Sequence, residues 1–129
     1  MPRAQAEYDP SPVNFEKLNL ETTLLEAIRQ RGFASTTPIQ SAVVPIIMNG
    51  DDLIGCADTG TGKTAAFLLP ILSRLLKTRA AAPEERGYTR VLILSPTREL
   101  AVQIEDDVQG FCVGVCCMGT QCVVSERGR

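Results

Sequence analysis

Eight consecutive residues, Ala57-Asp58-Thr59-Gly60-Thr61-Gly62-Lys63-Thr64, carry the sharpest chemistry in the chain. They fit the phosphate-binding pattern G-x-x-x-x-G-K-[ST] at every position but the first, where Ala57 stands in place of glycine. The residue types suit a polyphosphate. Glycines at 60 and 62 let the backbone curl until successive amides point into one cavity, where a side chain would obstruct the ligand. A helix starting near Lys63 would add the positive end of its dipole. The Lys63 ammonium would reach the β- and γ-phosphates as the catalytic side chain, and the Thr64 hydroxyl would ligate magnesium. The cysteines offer less. Cys112, Cys116, Cys117 and Cys122 are spaced C-x-x-x-C-C-x-x-x-x-C with no histidine in the chain, which is not a standard zinc pattern, so they read as reduced thiols.

The loop needs a strand before it and a helix after it. Leu53-Ile54-Gly55-Cys56 is short, apolar and bounded by turn signals, and reads as a buried strand. The apolar residues after Lys63 imply a helix, kinked at Pro70, where a backbone donor is missing. Upstream, Leu20, Leu24, Leu25 and Ile28 recur at helical spacing behind Asn19 as the cap, with Gly32 placed to end the helix. Thr37-Pro38 reads as an N-cap followed by proline at the first helical position, and Ile39, Ala42, Val43, Ile46 and Ile47 form the expected buried stripe. Residues 78–89 read as a polar connection. Val91-Leu92-Ile93-Leu94 is the clearest buried strand, and Thr97 caps a helix in which Leu100, Ile104, Val108 and Phe111 share a face. Residues 113–115 and 122–124 could be further strands. Alternation of this kind implies an α/β domain, a parallel sheet with helices on both faces.

Composition sets the outer bounds. The 129 residues, 44% hydrophobic and 22% charged, suit one globular domain. Residues 1–13 read as a flexible N-terminal arm and 14–129 as the domain. A net charge of −2 argues against a free-standing, tight nucleic-acid binder. The longest apolar run, residues 65–72, is too short to span a bilayer, and the first residues lack a signal sequence's apolar stretch. The expected setting is cytoplasmic, without a membrane partner.

Three motifs in order resemble those of DEAD-box ATP-dependent RNA helicases. Phe15 stands seventeen positions before Gly32-Phe33, which Thr37-Pro38-Ile39-Gln40 follows, similar to that family's Q motif. Motif I with Ala57 first, and Pro96-Thr97-Arg98-Glu99-Leu100 as motif Ia, complete the likeness. The resemblance implies the N-terminal part of a RecA-like P-loop domain that binds ATP with Mg2+. By it, Gln40 reads the adenine edge and Phe33 and Phe15 support the base, while Pro96, Thr97 and Arg98 meet the RNA backbone. It also implies an ATP hydrolase that remodels RNA duplexes or RNA–protein complexes together with a second RecA-like domain. Either aromatic could instead fill the core, Phe15 as readily as it supports the base and Phe33 less so; Thr97 could be only a cap, and Arg98 only a surface charge.

The chain departs from the family in one respect that bears on catalysis. Hydrolysis needs an acidic residue at a strand end to hold magnesium and order water, and the sequence has no Asp-Glu-Ala-Asp. Asp106-Asp107 and Glu84-Glu85 do not follow apolar strands. Beyond Phe111 the family's pattern fades. ATP binding without efficient hydrolysis is therefore expected of this stretch. A non-catalytic nucleotide-binding or interaction module, or another P-loop ATPase or kinase, are the alternatives.

Overall fold

The computed structural model describes residues 11–58, 60–81 and 89–112. A short 3-10 helix, Phe15–Leu18, precedes four α-helices: α1 (Thr22–Gln30), α2 (Pro38–Met48), α3 (Lys63–Ala81) and α4 (Arg98–Phe111). Helix α3 is central, packing chiefly on α2 and touching α1 and α4. One apolar core joins Leu24 and Ile28 of α1, Val44 of α2, Leu68, Leu69 and Leu72 of α3, and Ile104, Val108 and Phe111 of α4. No helix among the described residues is long and apolar enough to cross a membrane.

Asn19 does not cap α1. Its backbone is left-handed (φ 56°) and closes the 3-10 helix, while the Glu21 carboxylate caps α1 by accepting from the Thr23 and Leu24 N–H groups at 2.8 and 3.2 Å. Two longer contacts fix this corner. The Glu21 N–H donates to the fully buried Ser73 hydroxyl at 2.8 Å, and the Lys77 ammonium donates to the Asn19 carbonyl at 2.7 Å, so α3 holds the start of α1. At its other end α1 closes as a Schellman motif. The Gly32 N–H reaches the Arg29 carbonyl at 3.0 Å and the Phe33 N–H reaches the Ile28 carbonyl at 3.3 Å. Gly32 has the positive φ of 79° that this turn requires. The chain then pairs back on the N-terminal segment: the Val13 N–H donates to the Thr36 hydroxyl and the Thr36 N–H to the Val13 carbonyl, both at 2.9 Å.

In α2 the buried positions are Gln40, Val43 and Val44, a face turned from the expected 39-42-43-46-47 stripe. The rotation follows from Gln40, a polar residue that points inward because it has partners there. Ile39, only partly buried, lies with Val43 beside Gly55. Helix α3 runs through Ala81, so the start of the expected polar connection is helical, and residues 82–88 lie outside the described residues.

The sheet expected of residues 53–56 and 91–94 is not shown among the described residues. Among the described residues neither 53–56 nor 91–94 forms a strand, and both are exposed: Ile54 is 81%, Leu92 76% and Leu94 84% accessible. A strand needs a partner to accept its ladder, and the one β pairing among the described residues is an isolated bridge that involves neither segment, between Asn14 and Ser35. The strand candidates at 113–115 and 122–124, the last three cysteines and most of the N-terminal arm lie outside the described residues.

Candidate functional site

The glycine-rich loop leads directly into α3, whose first residue is Lys63. Gly60 and Gly62 have φ of 83° and 80°, the left-handed backbone that makes the loop curl. The Thr61 hydroxyl donates to the Asp58 carbonyl at 2.7 Å and tightens the turn. Lys63 is exposed, Ala57 and Thr64 are half-buried, and Thr59 lies outside the described residues. The Gly62 carbonyl is the junction. It accepts the first helical bond of α3, from the Ala66 N–H at 3.1 Å, and also the Gln40 side-chain amide at 3.2 Å.

Gln40 is only 4% exposed. Its Oε1 accepts from the Thr37 N–H at 3.0 Å, so the side chain reaches back to the start of its own helix while its Nε2 reaches the loop. A Cβ on Gly62 would run into the Gln40 amide nitrogen and stand 3.2 Å from Thr37 Oγ1. That hydroxyl oxygen is buried with no hydrogen-bond partner among the described residues. Thr37 stands at the N-cap position the sequence suggested, but its hydroxyl makes no capping bond. Its hydroxyl lines the back of the loop, a role its position beside Pro38 does not signal.

The aromatic candidates separate. Phe15 is 4% exposed and belongs to the core. Phe33 is 46% exposed, with its ring 6.5 Å from that of Phe111 and tilted by 36°. Both line one open concavity of about 350 Å³ with Ile28, Gly32 and Ala34, and neither Gln40 nor a loop residue reaches it. Pro96, Thr97 and Arg98 are all exposed at the start of α4, where Thr97 Oγ1 accepts from the Leu100 N–H at 3.2 Å.

Asp107 is turned to Arg31, 3.8 Å away, rather than to the loop. Burial pushes the Cys112 thiol above its ordinary value, and Cys56 beside the loop is exposed. No group of His, Cys, Asp and Glu side chains among the described residues could hold a metal by itself. The features that fit a nucleotide are the loop curled by left-handed glycines at 60 and 62 and the helix N-terminus behind it.

Residues 37–127 match the model of the DEAD/DEAH box helicase family. The match continues past Phe111, where the sequence reading loses the pattern. A mouse protein named probable ATP-dependent RNA helicase DDX27 is 45% identical over 116 residues, which is 88% of this chain and 15% of that protein. The fruit-fly ATP-dependent RNA helicase vasa is 45% identical over 103 residues, 79% of this chain and 15% of that protein. Among solved structures, the RNA helicase Prp28 from Chaetomium thermophilum bound to ADP superposes with a TM-score of 0.69 at 41% identity, covering 84% of this chain and 26% of that one. A DEAD box protein from Methanococcus jannaschii gives 0.65 at 37%, covering 76% and 25%.

Proposed function

The chain belongs to the DEAD/DEAH box helicase family, and on that premise we propose that residues 37–64 form the adenine and phosphate side of the ATP site of an ATP-dependent RNA helicase. One observation carries the reading. The Gln40 amide bonds the Gly62 carbonyl inside the phosphate loop, so a base-reading group and a phosphate-gripping loop meet in one contact.

Gln40 retains the capacity to read a base. A primary amide offers two N–H donors and two acceptor lone pairs, and the bonds to Thr37 and Gly62 use one of each. One donor and one acceptor remain, the complement of adenine N7 and its amino group; guanine presents O6 where adenine presents that amino donor. Phe33 offers the base an exposed ring, and Phe15 supports it from the core side. The backbone of Ala57, Asp58, Thr59, Gly60, Thr61 and Gly62 cradles the phosphates, and Lys63 reaches the β- and γ-groups. Thr64 would hold magnesium, which when bound neutralises charge developing between those groups. Pro96, Thr97 and Arg98 meet an RNA backbone at the N-terminus of α4, where a phosphate is favoured by the helix dipole.

The finer fold belongs to the same proposal. Residues 53–56 and 91–94 are strands of a parallel sheet with helices on both faces, paired and covered by strands from elsewhere in a longer protein. The chain spans 15% of the length of the DDX27 and vasa relatives. That whole protein would remodel RNA, with a second RecA-like domain supplying arginine fingers, each worth about 10³–10⁵ in rate. With no Asp-Glu-Ala-Asp in its 129 residues, this stretch binds ATP without efficient hydrolysis.

The test is Lys63→Ala in calorimetric titrations with Mg-ATP and with adenosine. ATP binding should weaken about tenfold or more, because a charge-assisted contact is lost, and adenosine binding should not change. Unchanged ATP affinity in a folded variant would remove the loop from phosphate binding.

A further inference from the structure

Phe33 is poorly held by its own segment. It follows Gly32 in a turn and shows nearly half its surface to solvent. What it leans on is the buried ring of Phe111, at the far end of α4 and 78 positions along the chain. Phe111 bears a second group. The Arg31 guanidinium lies over its ring, 4.5 Å from the centroid, and faces Asp107 at 3.8 Å one helical turn earlier on α4. Gly110 makes the approach possible, since a Cβ there would run into Arg31 Nη1.

Arg31 and Phe33 flank Gly32 as consecutive members of the Schellman turn that ends α1. Fixing Arg31 on α4 therefore fixes the backbone from which the Phe33 ring projects. The same ring of Phe111 meets both side chains, so α4 touches both residues that flank Gly32.

We propose that Phe111, clamped by Arg31 across Gly110 and Asp107, is a positioning residue that orients Phe33 for the adenine base. The proposal rests on the reading of Phe33 as a base support. It also gives α4 two functional ends: Thr97 and Arg98 at its N-terminus, and the platform under the base at its C-terminus.

The experiment uses the full 129-residue chain and compares Mg-ATP with Mg-tripolyphosphate, which has phosphates and no base, by titration calorimetry. Phe111→Leu keeps apolar volume and removes the flat ring; Phe111→Tyr keeps the ring. Arg31→Met, at a partly exposed site, and Gly110→Ala, a helix-favouring change, loosen the clamp without opening the core. Aromatic and cation–π contacts are worth enough for a loss of about 3- to 10-fold. Phe111→Leu, Arg31→Met and Gly110→Ala should each weaken ATP by that factor and leave tripolyphosphate within about twofold, and Phe111→Tyr should bind like the parent. Parallel loss of both ligands, or full ATP affinity in the Arg31 and Gly110 variants, overturns the positioning role. Equal affinity of the parent chain for ATP and tripolyphosphate would instead overturn the base-support reading beneath it, and the proposal with it.

Discussion

Alanine at Gly62 and alanine at Gly60 make a matched pair that isolates the contact between Gln40 and the phosphate loop. Both glycines have φ near 80°, so a Cβ at either costs roughly 1–2 kcal/mol of backbone strain. Beyond that they differ. Nothing lies within 4 Å of a Cβ at Gly60, whereas one at Gly62 would meet the Gln40 amide and Thr37 Oγ1. A long side chain usually yields cheaply to such a clash. Gln40 cannot, because it is 4% exposed and bonded at both ends. Displacing it orphans a buried amide and costs about 1–3 kcal/mol more. Gly60→Ala should therefore lose about 1–2 kcal/mol and Gly62→Ala about 2–5 kcal/mol. Urea denaturation followed by far-ultraviolet circular dichroism measures both. A double-mutant cycle sharpens the comparison: in a Gln40→Ala background the extra cost at position 62 should vanish, leaving the two substitutions alike. Equal losses in the parent chain, or an extra cost that persists without Gln40, would refute the reasoning.

Two further outcomes follow from local geometry. Glu21→Ala removes the carboxylate that caps α1 and should cost about 1 kcal/mol in denaturant unfolding, with Glu21→Asp or Glu21→Ser restoring part of it; an unchanged midpoint would show the cap contributes nothing. Burial raises the Cys112 thiol, so at neutral pH its thiolate fraction falls below that of an ordinary cysteine, and Cys112 needs a higher pH to react. Iodoacetamide mapped by mass spectrometry should modify exposed Cys56 first, and equal rates at the two sites would contradict that ordering.

What the sequence made legible was local. Thr97 as a cap, the 104-108-111 face of α4, Gly32 as the stop of α1 and Lys63 as the start of α3 all follow from short-range periodicity and turn chemistry, and the structure has them. The start of α1 differs from the expectation because Glu21, two positions after Asn19, caps it. Asn19 tolerates the left-handed backbone and was used to end the preceding turn instead. The buried face of α2 differs from the apolar stripe because Gln40, a polar residue, is buried by virtue of its partners. The strands could not be judged from composition, since 53–56 and 91–94 have strand-like side chains but no ladder among the described residues. Of the site, the phosphate loop was plain from glycine and lysine spacing. The Gln40–Gly62 bond and the Arg31–Phe111–Phe33 group join positions 22 to 80 residues apart, a distance over which pattern carries no signal.

Competition between nucleotides tests most directly whether Gln40 and the loop form one adenine-nucleotide site. A fluorescent ADP analogue is bound to the chain and displaced by ATP, ADP or GTP, in the parent and in Gln40→Ala. Losing a matched donor–acceptor pair to a base edge is worth about 1–3 kcal/mol, so ATP and ADP should displace at least about fivefold better than GTP in the parent. Gln40→Ala should remove that preference while Lys63 still holds the phosphates. GTP competing as well as ATP in the parent, or an adenine preference that survives Gln40→Ala, would contradict it.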